Sequence, residues 1–503
     1  MSKDIQKATM GKYRIKAVKK AEKKRQLAYN SLREIIRSFP VEAWLNLLRS
    51  MDKQDVDYLD GNFHYKGEFL VLVGDIVLRL GIVAKQGDTR SLHPTSENVK
   101  QIVSLFFEYD DTPSILIKKL GMSALPLFAL WQNKFNYPPA NMLGRMHLLN
   151  ESIEDEIKEI IGIDILDLHA ITFAILGAYS HKEFTYFKSN VLHSPKIRSL
   201  SKENIEKFLA FFSADIEGYR ASAKKFGIYE KEVGTFNMMN RYPIIRTGED
   251  LYIMPSENQL LESVAANLFN HVLGHKHNQD KKVTAKLLSD FGDVLEQYVI
   301  DLASEAFGKT NIVSADTLVA DKKELRCEVV CRHEKKSLAI EVKKLQFPRD
   351  AITDAKHEVI SSTLERHLEK ASKQIINTMK YVGGYKIGLI VIPDSMISPY
   401  ATLEPILNKL EVYKPEEHHI LICTLTEYEQ LMANTPELIF AALELTKNKS
   451  MQEGKDIVLV LYEMKNSGKP VVLINEYIGS VFNKKLSAQE REFAAELEKK
   501  KRL

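Results

Sequence analysis

Residues 337–344 read Ser-Leu-Ala-Ile-Glu-Val-Lys-Lys, a pattern that predicts a short buried strand. Side chains alternate between the two faces of a strand, so Glu341 and Lys343 project from one face while the neighbouring aliphatic side chains pack on the other. A buried carboxylate and a buried ammonium must both be satisfied. The simplest partners are a metal ion for the acid and an anionic substrate for the amine.

The segments on either side of this strand predict a small α/β domain. An amphipathic helix precedes it, and a continuous apolar run, typical of a strand buried on both faces, follows it. In chain order we predict a helix over Val283–Phe307, strands around Ile312–Ser314, Leu325–Cys331 and Ser337–Lys344, a helix over Asp354–Tyr381 and a strand over Tyr385–Pro393. The order is therefore helix, three strands, helix, strand.

Three further polar residues lie within these predicted elements. Glu296 stands among the apolar positions of the first helix, Glu328 on the second strand and Gln374 in the second helix. Because Glu328 alternates with the apolar residues of its strand, a hairpin can set it beside Glu341 and Lys343 on one face of the sheet. Strand parity allows this arrangement but does not fix the register.

With Glu341 and Lys343 forming the pattern E-x-K on an aliphatic strand, residues 283 to about 425 resemble the PD-(D/E)XK nuclease superfamily. E-x-K alone is a weak motif, and the acid on the preceding strand and the polar residues on the two helices strengthen it. The resemblance implies an α+β multidomain protein. An α-helical N-terminal region would be followed by an α/β restriction-endonuclease-like core of the order αβββαβ.

The resemblance also implies roles for five residues. Glu328, which stands where the family usually has Asp, and Glu341 would ligate Mg²⁺ or Mn²⁺. Lys343 would orient or help to deprotonate the attacking water. Glu296 matches a helical acid that completes the metal shell in some members, and Gln374 matches a polar position on the next helix. Hard carboxylate oxygens suit these metals, which stabilise the charge that develops on the phosphate in the transition state.

Two alternatives accompany this assignment. The acid of the preceding strand is Asp316 or Asp321, rather than Glu328, if the strands align differently. Glu341 and Lys343 could instead form an ordinary exposed ion pair on an edge strand, with Glu296 a solvated helix residue.

Composition is neutral on function. The 503 residues are 45% hydrophobic and 27% charged, which are ordinary globular values. Seventy Lys and Arg against 67 Asp and Glu give a net charge of +3, so any nucleic-acid surface must be a local patch. Three cysteines fit a reducing compartment, the N-terminus lacks a secretory pattern, and the apolar run at 69–84 is interrupted by charges. We predict a cytoplasmic protein without a membrane partner.

The length predicts two or three domains. Residues 1–274 are expected to form a mainly α-helical domain with a β-hairpin near 240–255. Residues 275–282 are polar and predict a linker. The nuclease-like domain would span 283–435, and 436–503 would be a C-terminal extension.

The resemblance implies a metal-dependent endonuclease that hydrolyses phosphodiester bonds in nucleic acid, in DNA rather than RNA. Bacterial restriction or anti-phage defence is the expected setting, by analogy. One alternative is a nuclease-fold module that binds nucleic acid without cutting it. Another is an interaction protein that works through its helical half, which could also mediate homo-oligomerisation or hold a protein partner.

Overall fold

The computed structural model of the chain describes residues 23–24, 26–53, 68–83, 93–109, 139–180, 187–189, 201–225, 238–277, 281–319, 324–344, 357–393, 403, 406–449, 457–481 and 483–484. The chain divides into two compact units. The first comprises residues 1–115, 129–134 and 170–263, and the second comprises 116–128, 135–169 and 264–503. Helices and two sheets occur together, so the general α+β class is confirmed.

Helices dominate the described residues up to 277. They are α1 (Val41–Lys53), α2 (Glu68–Leu80), α3 (Ser96–Tyr109), α4 (Pro139–Asn150), α5 (Glu154–Ile161), α6 (Ile165–Ser180), α7 (Lys202–Phe212), α8 (Ile216–Lys225), α9 (Glu257–Leu261) and α10 (Leu268–His277). Helix α1 illustrates why they form. Its residues Val41, Trp44, Leu45 and Leu48 are fully buried and repeat at the spacing of one helix face.

The first unit contains a small three-stranded sheet. Strands β2 (Ile244–Gly248) and β3 (Leu251–Ile253) form the hairpin predicted near 240–255. Strand β1 (Ser213–Asp215) pairs with β2 in parallel. Asp250 in the hairpin turn has a φ of 51°, a left-handed conformation that Asp tolerates better than most residues.

The second unit carries the longer elements. In chain order they are α11 (Lys281–Phe307), β4 (Ile312–Ser314), α12 (Ala315–Leu318), β5 (Val329–His333), β6 (Lys336–Val342), α13 (His357–Met379), β7 (Tyr385–Ile392), β8 (His419–Thr424), α14 (Leu425–Met432), α15 (Pro436–Asn448) and α16 (Ile457–Asn466). The segment quoted at the outset therefore forms most of β6.

The five strands of the second unit lie in the order β4-β5-β6-β7-β8. Strand β5 is antiparallel to β4 and β6, whereas β6, β7 and β8 are parallel. A parallel pair needs a crossover connection, and α13 lies in the one between β6 and β7. Gly384, at a φ of 77°, precedes β7, and a side chain there would collide with the Lys335 carbonyl oxygen.

Helices cover both faces of this sheet. Leu338 and Ile340 of β6 belong to a core shared with Val299 of α11 and with helices α14, α15 and α16. Residues of opposite parity face α13, since a side chain added at Gly388 of β7 would meet Ile375 of α13. Glu341 has the parity that faces α13.

The segment predicted as a linker is largely helical. Helix α10 ends at His277 and α11 begins at Lys281, while residues 278–280 lie outside the described ranges. The stacked rings of Phe269 and Phe291, 4.1 Å apart, join the two helices. The boundary predicted at 275–282 thus falls inside the second unit, whose core also includes residues of the predicted extension, such as Phe440 and Leu461.

Within the ranges described, no single helix has both the length and the apolar content needed to cross a membrane. The segments 141–161 and 165–177 reach that composition only together, across a bend of 73°.

Candidate active site

Glu341 and Lys343 lie at the end of β6. Glu341 is fully buried, and Lys343 Nζ donates a hydrogen bond to Glu341 Oε1. The backbone N–H of Lys343 donates to the Val391 carbonyl oxygen at 2.9 Å, which fixes the chain just beyond the strand. The side chain of Lys343 is only 12% exposed. The acid and the amine are thus held together at the edge of a packed core, not on an exposed strand.

Glu328 lies beside this pair. It immediately precedes β5, and its backbone N–H donates to the Ile340 carbonyl oxygen at 3.1 Å. Val329 pairs with Ile340 in an antiparallel register, and the charge of Glu328 acts on the Glu341 carboxyl, so Glu328 lies near Glu341. The structure therefore supplies the register that strand parity left open, and it sets two carboxylates side by side.

The acids on this face are poorly solvated and close to one another. Burial raises the pKa of the Glu341 carboxyl to about 8, with Lys343 lowering it and Glu328 raising it. Burial also raises the pKa of Glu328 to about 7, and the nearby Glu296 carboxylate contributes to that shift. Groups shifted by both burial and specific charges in this way are typical of functional sites.

Glu296 approaches the same site from α11. Burial, and next the neighbouring Asp293 carboxylate, raise the pKa of Glu296, whereas Lys343 lowers it. The electrostatic influence of Lys343 indicates that Glu296 faces the end of β6. Asp293 was missed at the level of sequence, although its spacing of three residues from Glu296 sets both on one side of a helix.

Gln374 contacts the backbone rather than the carboxylates. Its Nε2 donates to the Arg326 carbonyl oxygen at 2.7 Å. Thr378, one turn further along α13, accepts the Cys327 backbone N–H at 3.0 Å and donates to the Gln374 carbonyl oxygen at 2.9 Å. Gln374 and Thr378 therefore hold the chain just before Glu328. Sequence reasoning missed Thr378, because its role depends on a contact 51 residues away.

Of the two alternative acids, Asp316 and Asp321, only Asp316 lies within the described residues. Asp316 is exposed and forms an ion pair with Arg326, and it contributes to the raised pKa of Glu328. Asp321 lies outside the described residues. Of Glu328 and Asp316, Glu328 is the acid whose charge acts on Glu341.

His367 is a further polar residue near the site. It lies on α13 two turns before Gln374 and is half-buried. Burial, followed by the positive charges of Arg366 and Lys343, lowers its pKa. The spacing of seven residues from Gln374 was the available sequence signal, since it sets both side chains on one helix flank.

The neighbouring Lys344 serves the opposite face of the strand. Its ammonium lies 4.4 Å from the ring centre of Phe291 and 4.8 Å from that of Phe269, and it donates to the Leu288 carbonyl oxygen. Burial lowers its pKa to about 8. These contacts anchor the end of β6 to α10 and α11, so the position of Glu341 and Lys343 is fixed from both sides.

The donor chemistry of the site fits a hard divalent cation. Glu341 Oε2 is buried and receives no hydrogen bond from the described residues, and the available ligands are carboxylate oxygens, which Mg²⁺ and Mn²⁺ prefer. In the described part of the chain, no three His, Cys, Asp or Glu side chains are grouped closely enough to hold a metal ion. The carboxylates therefore offer suitable oxygens without a completed ligand shell.

No protein-family model, curated protein or solved structure matches this chain.

Proposed function

We propose that the chain is a metal-dependent phosphodiesterase that cuts nucleic acid, DNA in particular, with its site at the end of β6. The observation that carries the proposal is the pairing of Glu341 with Lys343 beside Glu328. A fully buried carboxylate retains an oxygen without a donor among the described residues, while an ammonium lies next to it. This arrangement suits a substrate that brings both a cation and a negative charge.

The order of elements supports the proposal. Helix α11, strands β4, β5 and β6, helix α13 and strand β7 follow one another, with the short helix α12 inserted after β4. This is the αβββαβ order that the resemblance to PD-(D/E)XK nucleases implies. Glu341 and Lys343 lie at the end of β6, and Glu328 immediately precedes β5.

Each residue has a chemical role in this proposal. Glu341 and Glu328, with Glu296 beside them, would hold Mg²⁺ or Mn²⁺, which when bound stabilises negative charge on phosphate oxygens. Lys343 would orient the attacking water and offset the charge of the phosphate group. Gln374 would keep Glu328 in place through the backbone of Arg326.

Cleavage assays test the proposal directly. Purified protein is incubated with plasmid DNA, single-stranded DNA and RNA in Mg²⁺ or Mn²⁺, alongside the variants Glu341→Gln and Lys343→Ala. We expect plasmid cleavage by the wild type, with a loss on the order of a hundredfold or more in each variant. Cleavage that persists undiminished in both variants would contradict the site assignment.

A nucleic-acid-binding protein that does not cut is the second candidate. The hydrogen bond from Lys343 Nζ to Glu341 Oε1 favours it, because each of the two groups already has a partner within the protein. Retention of plasmid DNA on the wild-type protein without cleavage in either metal would support this candidate. A role in bacterial restriction or anti-phage defence belongs to the first candidate and rests on analogy.

A further inference from the structure

Helix α13 carries a stripe of positive charge on its outer side. Arg366, Lys370 and Lys373 lie on α13 and Lys380 immediately follows it. Their spacings of four, three and seven residues set all four on one helix face. We call these four residues the α13 stripe. At 1.5 Å per residue the stripe extends for about 21 Å.

Most of this charge is not neutralised. Among the described residues, no carboxylate forms an ion pair with Arg366, Lys370 or Lys380. Lys380 donates to the neutral Asn377 side chain instead. Lys373 is paired with Glu369 of the same helix. Three cations are therefore presented to solvent along one line.

The stripe lies on the helix that borders the candidate active site. The charges of Arg366 and Lys370 and that of Lys343 all act on His367, which lies between the stripe and the buried side of α13. The same helix holds the start of β5 through Gln374. The stripe and Lys343 therefore both lie near His367.

We propose that the α13 stripe binds the phosphate backbone of duplex DNA and leads it to Glu341 and Lys343. This inference rests on nucleic acid being the substrate. Lysine and arginine contacts to phosphates provide most of the non-specific affinity of such complexes and set the position of the duplex. A straight, rigid row of cations matches the regular phosphates of a duplex.

The composition of α13 favours a duplex over a single strand. Proteins that bind single strands combine basic grooves with aromatic side chains on which the bases stack. Residues 357–380 contain no Phe, Tyr or Trp. The exposed Tyr381 follows Lys380, and its hydroxyl donates a hydrogen bond to Glu324. Helix α13 itself thus offers contacts to phosphates without aromatic side chains.

The test is a salt titration of binding. The triple substitution Arg366→Gln, Lys370→Gln and Lys380→Gln is made in a Glu341→Gln background, so that binding is measured without cleavage. The matched control substitutes three exposed lysines elsewhere in the second unit, Lys309, Lys465 and Lys469, by Gln. Affinity for a duplex oligonucleotide and for its single strand is measured by fluorescence anisotropy over a range of salt concentrations.

We expect the stripe variant to bind duplex DNA at least tenfold more weakly at moderate salt. The slope of log K against log salt should decrease by about 0.9 for each lost phosphate contact, or about 2.7 for three. The control should keep the slope of its parent. An equal slope in the stripe variant and its parent, or tighter binding of the single strand than of the duplex, would overturn the proposal.

The outcome is separable from that of the proposed activity. If the wild type cuts DNA and the salt slope of the stripe variant equals that of its parent, the proposal for the α13 stripe fails while the nuclease proposal is retained. If the salt slope decreases in the stripe variant but the wild type does not cut DNA, the α13 stripe is supported as a binding surface and the nuclease proposal fails. All three substituted side chains are exposed, so circular dichroism and the melting temperature should match those of the parent.

Discussion

Glu341 and Glu429 are both fully buried in the second unit, yet their surroundings differ. Glu429, on α14, accepts the Tyr298 hydroxyl at 2.7 Å and forms an ion pair with Arg145, whose Nε and Nη2 each lie 2.6 Å from a carboxylate oxygen. Both carboxylate oxygens of Glu429 therefore have partners within the protein. Glu341 has one oxygen on Lys343 and another without a donor among the described residues.

The difference separates a structural acid from a functional one. A buried charge whose hydrogen-bonding capacity is filled by the protein itself has little left for a ligand. A buried carboxyl with a spare oxygen and a pKa raised to about 8 keeps one oxygen available to a ligand. We therefore expect a substitution of Glu429 to lower mainly the stability of the protein and a substitution of Glu341 to lower mainly its activity.

The largest effect on stability is expected at Glu429. The change Glu429→Ala leaves the Arg145 guanidinium buried without its carboxylate, which should cost about 3–5 kcal/mol of unfolding free energy. Urea denaturation followed by circular dichroism measures this. A midpoint unchanged from the wild type would contradict the structural role given to Glu429.

The largest effect on activity is expected at Glu341. The change Glu341→Gln should reduce DNA cleavage by about a hundredfold or more while the urea midpoint stays near that of the wild type. Gln copies the shape of the protonated carboxyl, which is the favoured form in the metal-free protein at neutral pH. A Glu341→Gln variant as unstable as Glu429→Ala would remove the distinction between the two acids.

A smaller effect is expected where α13 holds the chain before Glu328. Thr378→Val leaves the buried Cys327 backbone N–H without its acceptor, which should cost about 1–3 kcal/mol. Thr378→Ser keeps the hydroxyl and should restore most of the loss. We expect cleavage to fall in the Val variant at temperatures where it remains folded, because Glu328 is no longer held in place. Equal cleavage by the Val and Ser variants would exclude this role.

A further effect is a dependence of stability on pH. A carboxyl whose folded pKa is raised keeps its proton where the unfolded chain has lost it. For Glu341 this stabilisation is complete below the ordinary pKa of 4.5 and declines until the pH passes about 8. Without metal, the melting temperature of the wild type should therefore fall relative to that of Glu341→Gln between these values. A constant difference between the two proteins across that range would contradict the pKa shift.

The sequence allowed one part of the site to be predicted and not another. Alternation along residues 337–344 predicts that Glu341 and Lys343 share a face, and Lys343 Nζ donates a hydrogen bond to Glu341 Oε1. The register that pairs β5 with β6 and brings Glu328 near Glu341 depends on the turn between the two strands, where Glu334 has a φ of 51°. That turn contains neither Gly nor Asn, so the usual hairpin signal was absent.

The ion pair of Glu429 with Arg145 could not be predicted from the sequence, for a different reason. Arg145 and Glu429 are separated by 284 residues, and neither lies in a motif. Only the packing of α4 and α14 in one unit brings them together. Local periodicity predicts elements such as α11 and β7 closely, whereas contacts between distant helices follow from packing that periodicity does not encode.

Direct measurement of Mn²⁺ binding tests the central claim that Glu341 is a metal ligand. Electron paramagnetic resonance of free Mn²⁺ is followed while wild type, Glu341→Gln or Asp316→Asn is added, at a pH above 8 where Glu341 is ionised. We expect the wild type and Asp316→Asn to bind Mn²⁺ with similar affinity and Glu341→Gln to bind it at least tenfold more weakly. Equal affinity of all three proteins for Mn²⁺ would contradict the account.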